Sequence, residues 1–501
     1  MWSFCLRRGD DDDPEAMVAD RAKSETMNDT QNTTIATKFK YFCSTLLLIV
    51  SVVLVISLIF TEQTQLSQAS HPAFAFVLIW FLLVWLAMME GGQASLVGLR
   101  SVNRDLYKDS HPITFKNTFI AHRGDNMEKF IIGRQFLVVL VVFLTNLAGA
   151  ALPGSHVLGL PEIVNSIFVG SGLAMVLTTV IIGQLTAQVN ATSYMLDIIN
   201  NHFMLYFVTY ISMAIEFSGL LHSVYLVQMF FSKVTGKSIG TIEQPRSRVQ
   251  SFFFWARILF SCVVLGFAFA VILSALFTNN TTMWEGCPPA VSVITFFILM
   301  IFAGIMEGMQ IAILVVLKLP EEDLNEHPTA KANRDLTMEG NNLKAFLIGR
   351  QICVTACMFV VARIITLDVE VGKDENIFGV SDLIQANLLN TNILGAIITT
   401  IAASLAWRVV ASSFPIPFLS NPLVSLIIRL CLLIEASGLC SAAWLLALVQ
   451  QRLTRFKSDE EHIGAIEEEE MDGTVIDLEN QVTIESTDSF DTLDTVEVAN
   501  C

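Results

Sequence analysis

Charge is what this chain has least of. Asp, Glu, Lys and Arg make up 15% of its 501 residues, well below the roughly one quarter of an ordinary soluble domain, while apolar residues make up 53% and the mean hydropathy is +0.58. That balance excludes a soluble globular domain. A disulfide framework and metal-ligand spacing are also missing. Of nine cysteines, Cys43, Cys262, Cys353, Cys357, Cys431 and Cys440 fall inside apolar runs, where they are expected to pack as small reduced hydrophobes. The eight histidines are scattered, chiefly over polar segments (His71, His111, His122, His156, His327). A membrane-embedded enzyme would cluster its catalytic His or Asp on one face, so no enzyme, bound metal or cofactor is expected. No cleavable signal is expected either, because the first apolar run starts about 40 residues in, behind an acidic stretch that includes Asp10 to Asp13. The first span then serves as the targeting signal.

What is present is a set of apolar runs long enough to cross a bilayer, which takes about 20 residues each. They lie near 41–60, 72–98, 130–152, 164–189, 202–232, 251–277, 289–317, 345–366, 383–410 and 419–450. The chain is duplicated across them. Glu90-Gly91-Gly92-Gln93 and Gly133-Arg134-Gln135 return as Glu307-Gly308-Met309-Gln310 and Gly349-Arg350-Gln351. Phe60-Thr61 returns as Phe277-Thr278, His111-Pro112 as His327-Pro328, and Asn126 with Phe130 as Asn342 with Phe346, at offsets of 216 or 217. Near the end of each copy, Glu216, Ser218, Gly219 and Leu220 match Glu435, Ser437, Gly438 and Leu439.

The expected fold is therefore an all-α polytopic membrane protein of ten transmembrane helices in two five-helix repeats. A cytosolic polar segment covers 1–40, the repeats cover 41–232 and 251–450 around a connecting loop at 233–250, and an acidic disordered tail covers 451–501. From Gln451 onward there are 15 acidic residues against Arg452, Arg455 and Lys457, so the tail carries −12 of the net −17. Such a tail reads as a solvated extension, and an acidic chain is not expected to bind nucleic acid. An odd number of spans per copy predicts inverted topology, with substrate and coupling ion between the copies and the two motif sets facing opposite sides. Two signals resist that. Lys233, Lys237, Arg246 and Arg248 would be external, and the glycosylation sequons at Asn279 and Asn280 internal. Four crossings per copy with one re-entrant segment would satisfy both; the expectation kept is five.

Ionisable and amide side chains inside apolar runs are costly, so a duplicated set marks a functional site. Glu90 with Gln93, and Glu307 with Gln310, are three apart and share one helix face, while Gly91, Gly92 and Gly308 allow close approach of another helix. Arg134 and Arg350 are expected at the start of the next span, at the positive end of the helix dipole, which they oppose unless a carboxylate or substrate oxygen meets them. Gly133 and Gly349 sit beside them, and Gln135 and Gln351 follow. Amides, a carboxylate and a guanidinium together suit a small neutral solute with many hydroxyls, each of which donates and accepts. The competing reading is a Glu–Arg pair that only fixes helix register. Glu216 with Ser218, and Glu435 with Ser437, offer hard oxygens to a small cation such as sodium; a protonated Glu bonded to a carbonyl is the rival. Asn146, Gln184, Gln188, Asn390, Asn392, Arg408 and Arg429 line the path or join helices. The repeated His-Pro reads as a turn, and the Pro415, Pro417 and Pro422 cluster as a break before the last segment.

Paired Glu-Gly-x-Gln and Gly-Arg-Gln motifs, one pair in each half of a ten-span chain, resemble the diatom silicon transporters over about residues 40 to 450. The resemblance implies sodium-coupled import of orthosilicic acid across the plasma membrane of a silicifying alga, an internal silica-forming compartment being the alternative, with the motif residues at the substrate path and the lipid bilayer as surroundings. One departure is visible: Val475, Leu478, Val482 and Ile484 give no sustained heptad where such tails often show coiled-coil character. A passive channel lacks its Asn-Pro-Ala boxes here, Asn421-Pro422-Leu423 being the nearest approach. A silicic acid sensor would keep the motifs and carry no flux.

Overall fold

The computed structural model describes residues 35–459 except 236–246, 285, 318, 321–323, 370–371 and 373–375; the expectations for most of the N-terminal segment and for the acidic tail beyond 459 lie outside these. Among the described residues, eight helices are long and apolar enough to cross a membrane. In the first copy these are α1 (Ile35–Phe60), α2 (Pro72–Gly98), α4 (Asn126–Gly149) and α5 (Leu173–Ala191). Between and after them come the shorter α3 (Pro112–Ala121), α6 (Met195–Ile199), α7 (Met204–Phe217) and α8 (Val224–Thr235). The second copy repeats the series: α9 (Arg248–Phe277), α10 (Pro289–Leu317), α11 (Pro328–Met338), α12 (Asn342–Ile365), α13 (Ile393–Ser413), α14 (Pro415–Leu419), α15 (Pro422–Ala436) and α16 (Ala442–Thr454).

Local chemistry sets the helix starts. His111 and His327 precede Pro112 and Pro328, the first residues of α3 and α11, where a fixed φ and a missing N–H cost nothing; the His-Pro repeat is a turn into a helix. Pro415 and Pro422 open α14 and α15 in the same way. Ser247 and Gln250 form a capping box at α9.

Burial separates an inner from an outer set. In α4, α5, α12 and α13, 61–78% of the most apolar window is buried, against 33–39% in α1, α2, α9 and α10. The third and fourth helices of both copies therefore make the centre, and the first two of each face outward with exposed apolar residues such as Ile49, Val53, Leu259 and Val263.

The last apolar run of each copy does not cross. In the first, α6 sets Met195 against Gly98 and Ile198 against Gly91 at the carboxyl end of α2, and α7 follows. The chain breaks at residues 218–223, where Gly219 takes φ +86°, a left-handed value that an L side chain resists. α8 then returns to the carboxyl end of α13, with the Phe231 ring 5.7 Å from that of Phe414. The second copy breaks at Gly438, φ +73°, and α16 returns to α5, where Asn190 exchanges hydrogen bonds of 2.8 Å with Gln450 and Gln451. Beyond α16, the buried Asp459 carboxylate accepts the Met195 and Leu196 N–H groups at 2.6 and 3.0 Å.

The copies also point the same way. At the end of α12, Arg363 Nη1 donates to the Gly170 carbonyl just before α5, at 3.1 Å. Phe143, late in α4, lies 3.5 Å from a Cβ built on Gly395 at the start of α13. Late residues of one third helix thus meet early residues of the other copy's fourth helix, which requires parallel third helices. Inverted topology is corrected on this geometry: four long helices per copy return the chain to the face it entered from, and the fifth run turns back. The pseudo-symmetry is close. Ser44 Oγ donates to the Leu439 carbonyl at 2.8 Å, and Ser261 Oγ to the Leu220 carbonyl at 2.7 Å, so each first helix braces the break of the other copy.

This arrangement resolves the two resisting charge signals. Arg100, Arg104, Lys108, Lys116, Arg123 and Lys129, together with Lys233, Arg248, Lys331 and Arg334, gather on one face, while Asn279 and Asn280 lie at the other. The excess of Lys and Arg makes the first face cytosolic. On it, α3 and α11 are anchored alike: Asn117 Nδ2 donates to the Ile199 carbonyl at 3.0 Å and Asn333 Nδ2 to the Leu419 carbonyl at 2.8 Å. His122 also reaches the Leu96 carbonyl at 2.8 Å, and burial pushes its pKa down to about 4, so the ring is a neutral donor.

Candidate functional site

The motif residues meet where α2, α4 and α5 face α10, α12 and α13. Glu90 lies about 12 Å before the cytosolic end of α2, and Arg134 and Arg350 about 12 Å inside α4 and α12. The arginines thus sit two turns into their helices, a correction to their expected place at the start; the polar residues 126–129 and 342–344 are helical too and carry the helix beyond the apolar run.

In the first copy Arg134 Nη1 stands 3.4 Å from Glu90 Oε1, and Gln188 Nε2 donates to Glu90 Oε2 at 3.0 Å. In the second, Arg350 Nη1 stands 3.7 Å from Glu307 Oε1, while Arg408 donates to Glu307 Oε2 through Nε at 3.1 Å and Nη2 at 2.8 Å. Each motif Arg also donates Nη2 to the Gln that follows it, Arg134 to Gln135 at 3.5 Å and Arg350 to Gln351 at 3.2 Å. Arg408 Nη2 crosses between copies to Gln135 Oε1 at 3.4 Å. The two motif sets, expected on opposite sides, form one cluster. Glu90, Arg134, Gln135, Glu307, Arg350 and Gln351 are all buried, and Gln93 and Gln310 are half-buried beside them.

A buried ion pair held only at 3.4–3.7 Å does not fill a guanidinium. Arg350 Nε and Nη1 are buried without a hydrogen-bond partner among the described residues, and a buried donor left in that state costs about 1–3 kcal/mol. The described side chains therefore satisfy the Arg350 guanidinium only in part.

The glycines explain how the site is walled. A Cβ on Gly133 would lie 1.8 Å from the Ser212 carbonyl oxygen, and one on Gly349 2.0 Å from that of Cys431. α7 and α15 cross directly over α4 and α12 at the residue before each motif Arg. Gly91 and Gly308 bring the fourth helices close, with the Ala187 and Trp407 carbonyl oxygens 3.3 and 3.1 Å from a built Cβ. Both fourth helices widen into a π segment, Ile181–Leu185 and Thr399–Leu405, three residues before Gln188 and Arg408, an irregularity frequent at functional sites.

Other marked residues are placed elsewhere. Gln184 accepts from Thr355 Oγ1 at 2.7 Å and joins α5 to α12. Asn392 Nδ2 donates to Thr366 Oγ1 at 2.8 Å, and Asn390 to the Val369 carbonyl at 3.1 Å, both near the outer face. Arg429 lines an open cytosolic groove of about 750 Å³ with Asp335 and Glu339, which includes no motif residue. Glu216 and Glu435 lie at the helix breaks. Tyr225 Oη donates to Glu216 Oε1 at 3.2 Å, with His222 3.8 Å away. Ser218 and Ser437 donate to the Ile215 and Ile434 carbonyls at 2.6 Å.

A sequence profile of silicon transporters matches residues 32–495, nearly the whole chain. The chain belongs to the silicon transporter family. No curated protein and no solved structure matches it. Family membership makes this multi-pass membrane protein a transporter of silicic acid. In such a transporter the pairing of Gln188 with Arg408 carries a weak sequence signal, because they are equivalent at an offset of 220 whereas the motifs repeat at 216 or 217.

Proposed function

We propose that this transporter imports orthosilicic acid by sodium-coupled alternating access, one substrate at a time, at a single site shared by the two copies. The observation that supports the reading is the meeting of both Glu–Arg pairs with Gln135 and Gln351 in one buried cluster, where Arg350 Nε and Nη1 have no hydrogen-bond partner among the described residues. Silicic acid is tetrahedral and largely uncharged at neutral pH. Each of its four hydroxyls needs a donor and an acceptor, and an amide offers both. Gln93, Gln135, Gln310 and Gln351 bind the hydroxyls, Arg134 and Arg350 donate to their oxygens, and Glu90 and Glu307 hold the arginines or accept from substrate.

Parallel repeats related by an axis along the membrane normal alternate access by rocking against each other. Contacts between the copies supply the gates. Opening outward parts Arg363 from Gly170, and opening inward parts Arg408 from Gln135. Sodium binds at the breaks, where the carboxyl ends of α7 and α15 present carbonyls at the negative end of the helix dipole, beside Glu216, Ser218, Glu435 and Ser437. The inward sodium gradient then drives import across the plasma membrane of a silicifying alga.

Uptake of germanium-68, as the silicic acid analogue germanic acid, into proteoliposomes of purified protein tests the coupling. The expected result is accumulation above equilibrium only with an inward sodium gradient. Sodium-independent equilibration would make the protein a channel, and no flux in a folded preparation would make it a sensor.

A further inference from the structure

The two half-sites are not equal in charge. Gln188 and Arg408 occupy the same register of the two fourth helices, three residues beyond each π segment, and both bond Oε2 of the motif Glu in their own copy. The first copy therefore presents its carboxylate with one guanidinium and an amide. The second presents its carboxylate with two guanidiniums, one positive charge more. Arg408 is also the most accessible of the three, its side chain 13% exposed against 4% for Arg134 and 7% for Arg350. Its Nη2 spans the boundary between copies to Gln135, one of the residues assigned to substrate.

We propose that Arg408 is a specificity-determining residue that lets the shared site accept a tetrahedral hydroxy anion, such as singly deprotonated silicic acid, alongside the neutral acid. The inference rests on the substrate reading above. A neutral solute gains nothing from the extra charge, whereas an anionic oxygen placed near a desolvated guanidinium forms a charge-assisted hydrogen bond, about twice as strong as a neutral one. Arginine serves this purpose because it stays protonated at the alkaline pH where silicic acid ionises. Glutamine at this position, as in the first copy, would still satisfy Glu307 and would leave the half-sites alike.

Boron gives the probe, since boric acid is neutral and trigonal at neutral pH and becomes the tetrahedral tetrahydroxyborate anion when alkaline. Binding of germanium-68 germanic acid is measured at neutral pH, and binding of borate directly by calorimetry at neutral and alkaline pH, for the purified unaltered chain, Arg408→Gln and Arg408→Lys. Each of the three proteins should still bind germanic acid at neutral pH, which shows that its site is formed. At alkaline pH borate should bind the unaltered protein and Arg408→Lys about tenfold more tightly than Arg408→Gln, the size expected of one charged hydrogen bond. Equal borate affinity in the unaltered protein and Arg408→Gln overturns this inference alone. Loss of germanic acid binding at neutral pH in a folded Arg408→Gln, with rescue by lysine, also overturns it, by making the residue a tie within the protein. If Arg408→Gln fails to fold, a borate affinity in the unaltered protein that does not rise as the anion forms overturns it. No germanium binding to the unaltered protein overturns the substrate reading and this inference with it.

Discussion

Silicic acid uptake is expected to fall about a hundredfold in Gln93→Ala combined with Gln310→Ala, with the protein still folded. Both side chains are only half-buried at the edge of the motif cluster, so their truncation opens no sealed cavity. Each amide contributes about 1–1.5 kcal/mol of net hydrogen bonding to substrate. Two of them amount to about 2–3 kcal/mol, which is about a hundredfold. Germanium-68 uptake into proteoliposomes, with size-exclusion behaviour as the control for folding, measures it. Unchanged uptake would remove these glutamines from the mechanism and leave the amides of Gln135 and Gln351 as the substrate's partners.

The largest effect on folding is expected from Gly349→Ala and Gly133→Ala. A methyl group at 349 would stand 2.0 Å from the Cys431 carbonyl oxygen, 2.6 Å from its carbon and 2.8 Å from its Cα; at 133 the Ser212 backbone is as close, at 1.8, 2.6 and 3.1 Å. All of these are main-chain atoms of a packed helix, so no rotamer change relieves the contact and the crossing helix must move. Overpacking typically costs about 1–3 kcal/mol and more where, as here, only main chain can yield, a large share of the about 5–15 kcal/mol by which a native protein is stable. Gly92→Ala is the control, because there the new methyl meets only the Met204 thioether end, at 2.4 Å, which can swing aside. Monodisperse yield and thermal midpoint in detergent separate the cases: a sharp loss for 133 and 349, a small shift for 92. Equal tolerance at all three would mean that α7 and α15 do not cross where they are placed.

Much of this was legible from residue order. The eight long helices coincide with eight of the ten apolar runs, the His-Pro pairs begin α3 and α11, and the proline cluster interrupts the chain before α15. The orientation of the repeats was misread because hydropathy reports how apolar a run is, and a run that enters and turns back is as apolar as one that crosses. The corrective signals were in the chain: basic Lys233 and Arg248, the sequons at Asn279 and Asn280, and a glycine in the middle of each last run. Gly219 and Gly438 are the points at which those runs turn. The motif cluster was legible as a duplicated set of costly residues, and its Glu–Arg pairing is present in both copies. What periodicity within one copy does not reveal is contact between copies. Arg408 reaches Glu307 through a loop four residues longer than its counterpart and reaches Gln135 only through the packing of α13 against α4.

That contact between copies underlies the claim of one shared site, and the count of bound substrate tests it most directly. Equilibrium binding of germanium-68 germanic acid to purified protein should saturate at one per chain, with Gln93→Ala and Gln310→Ala each weakening that same event. Saturation at two per chain, with each substitution removing one and sparing the other, would contradict it and make each copy a site of its own.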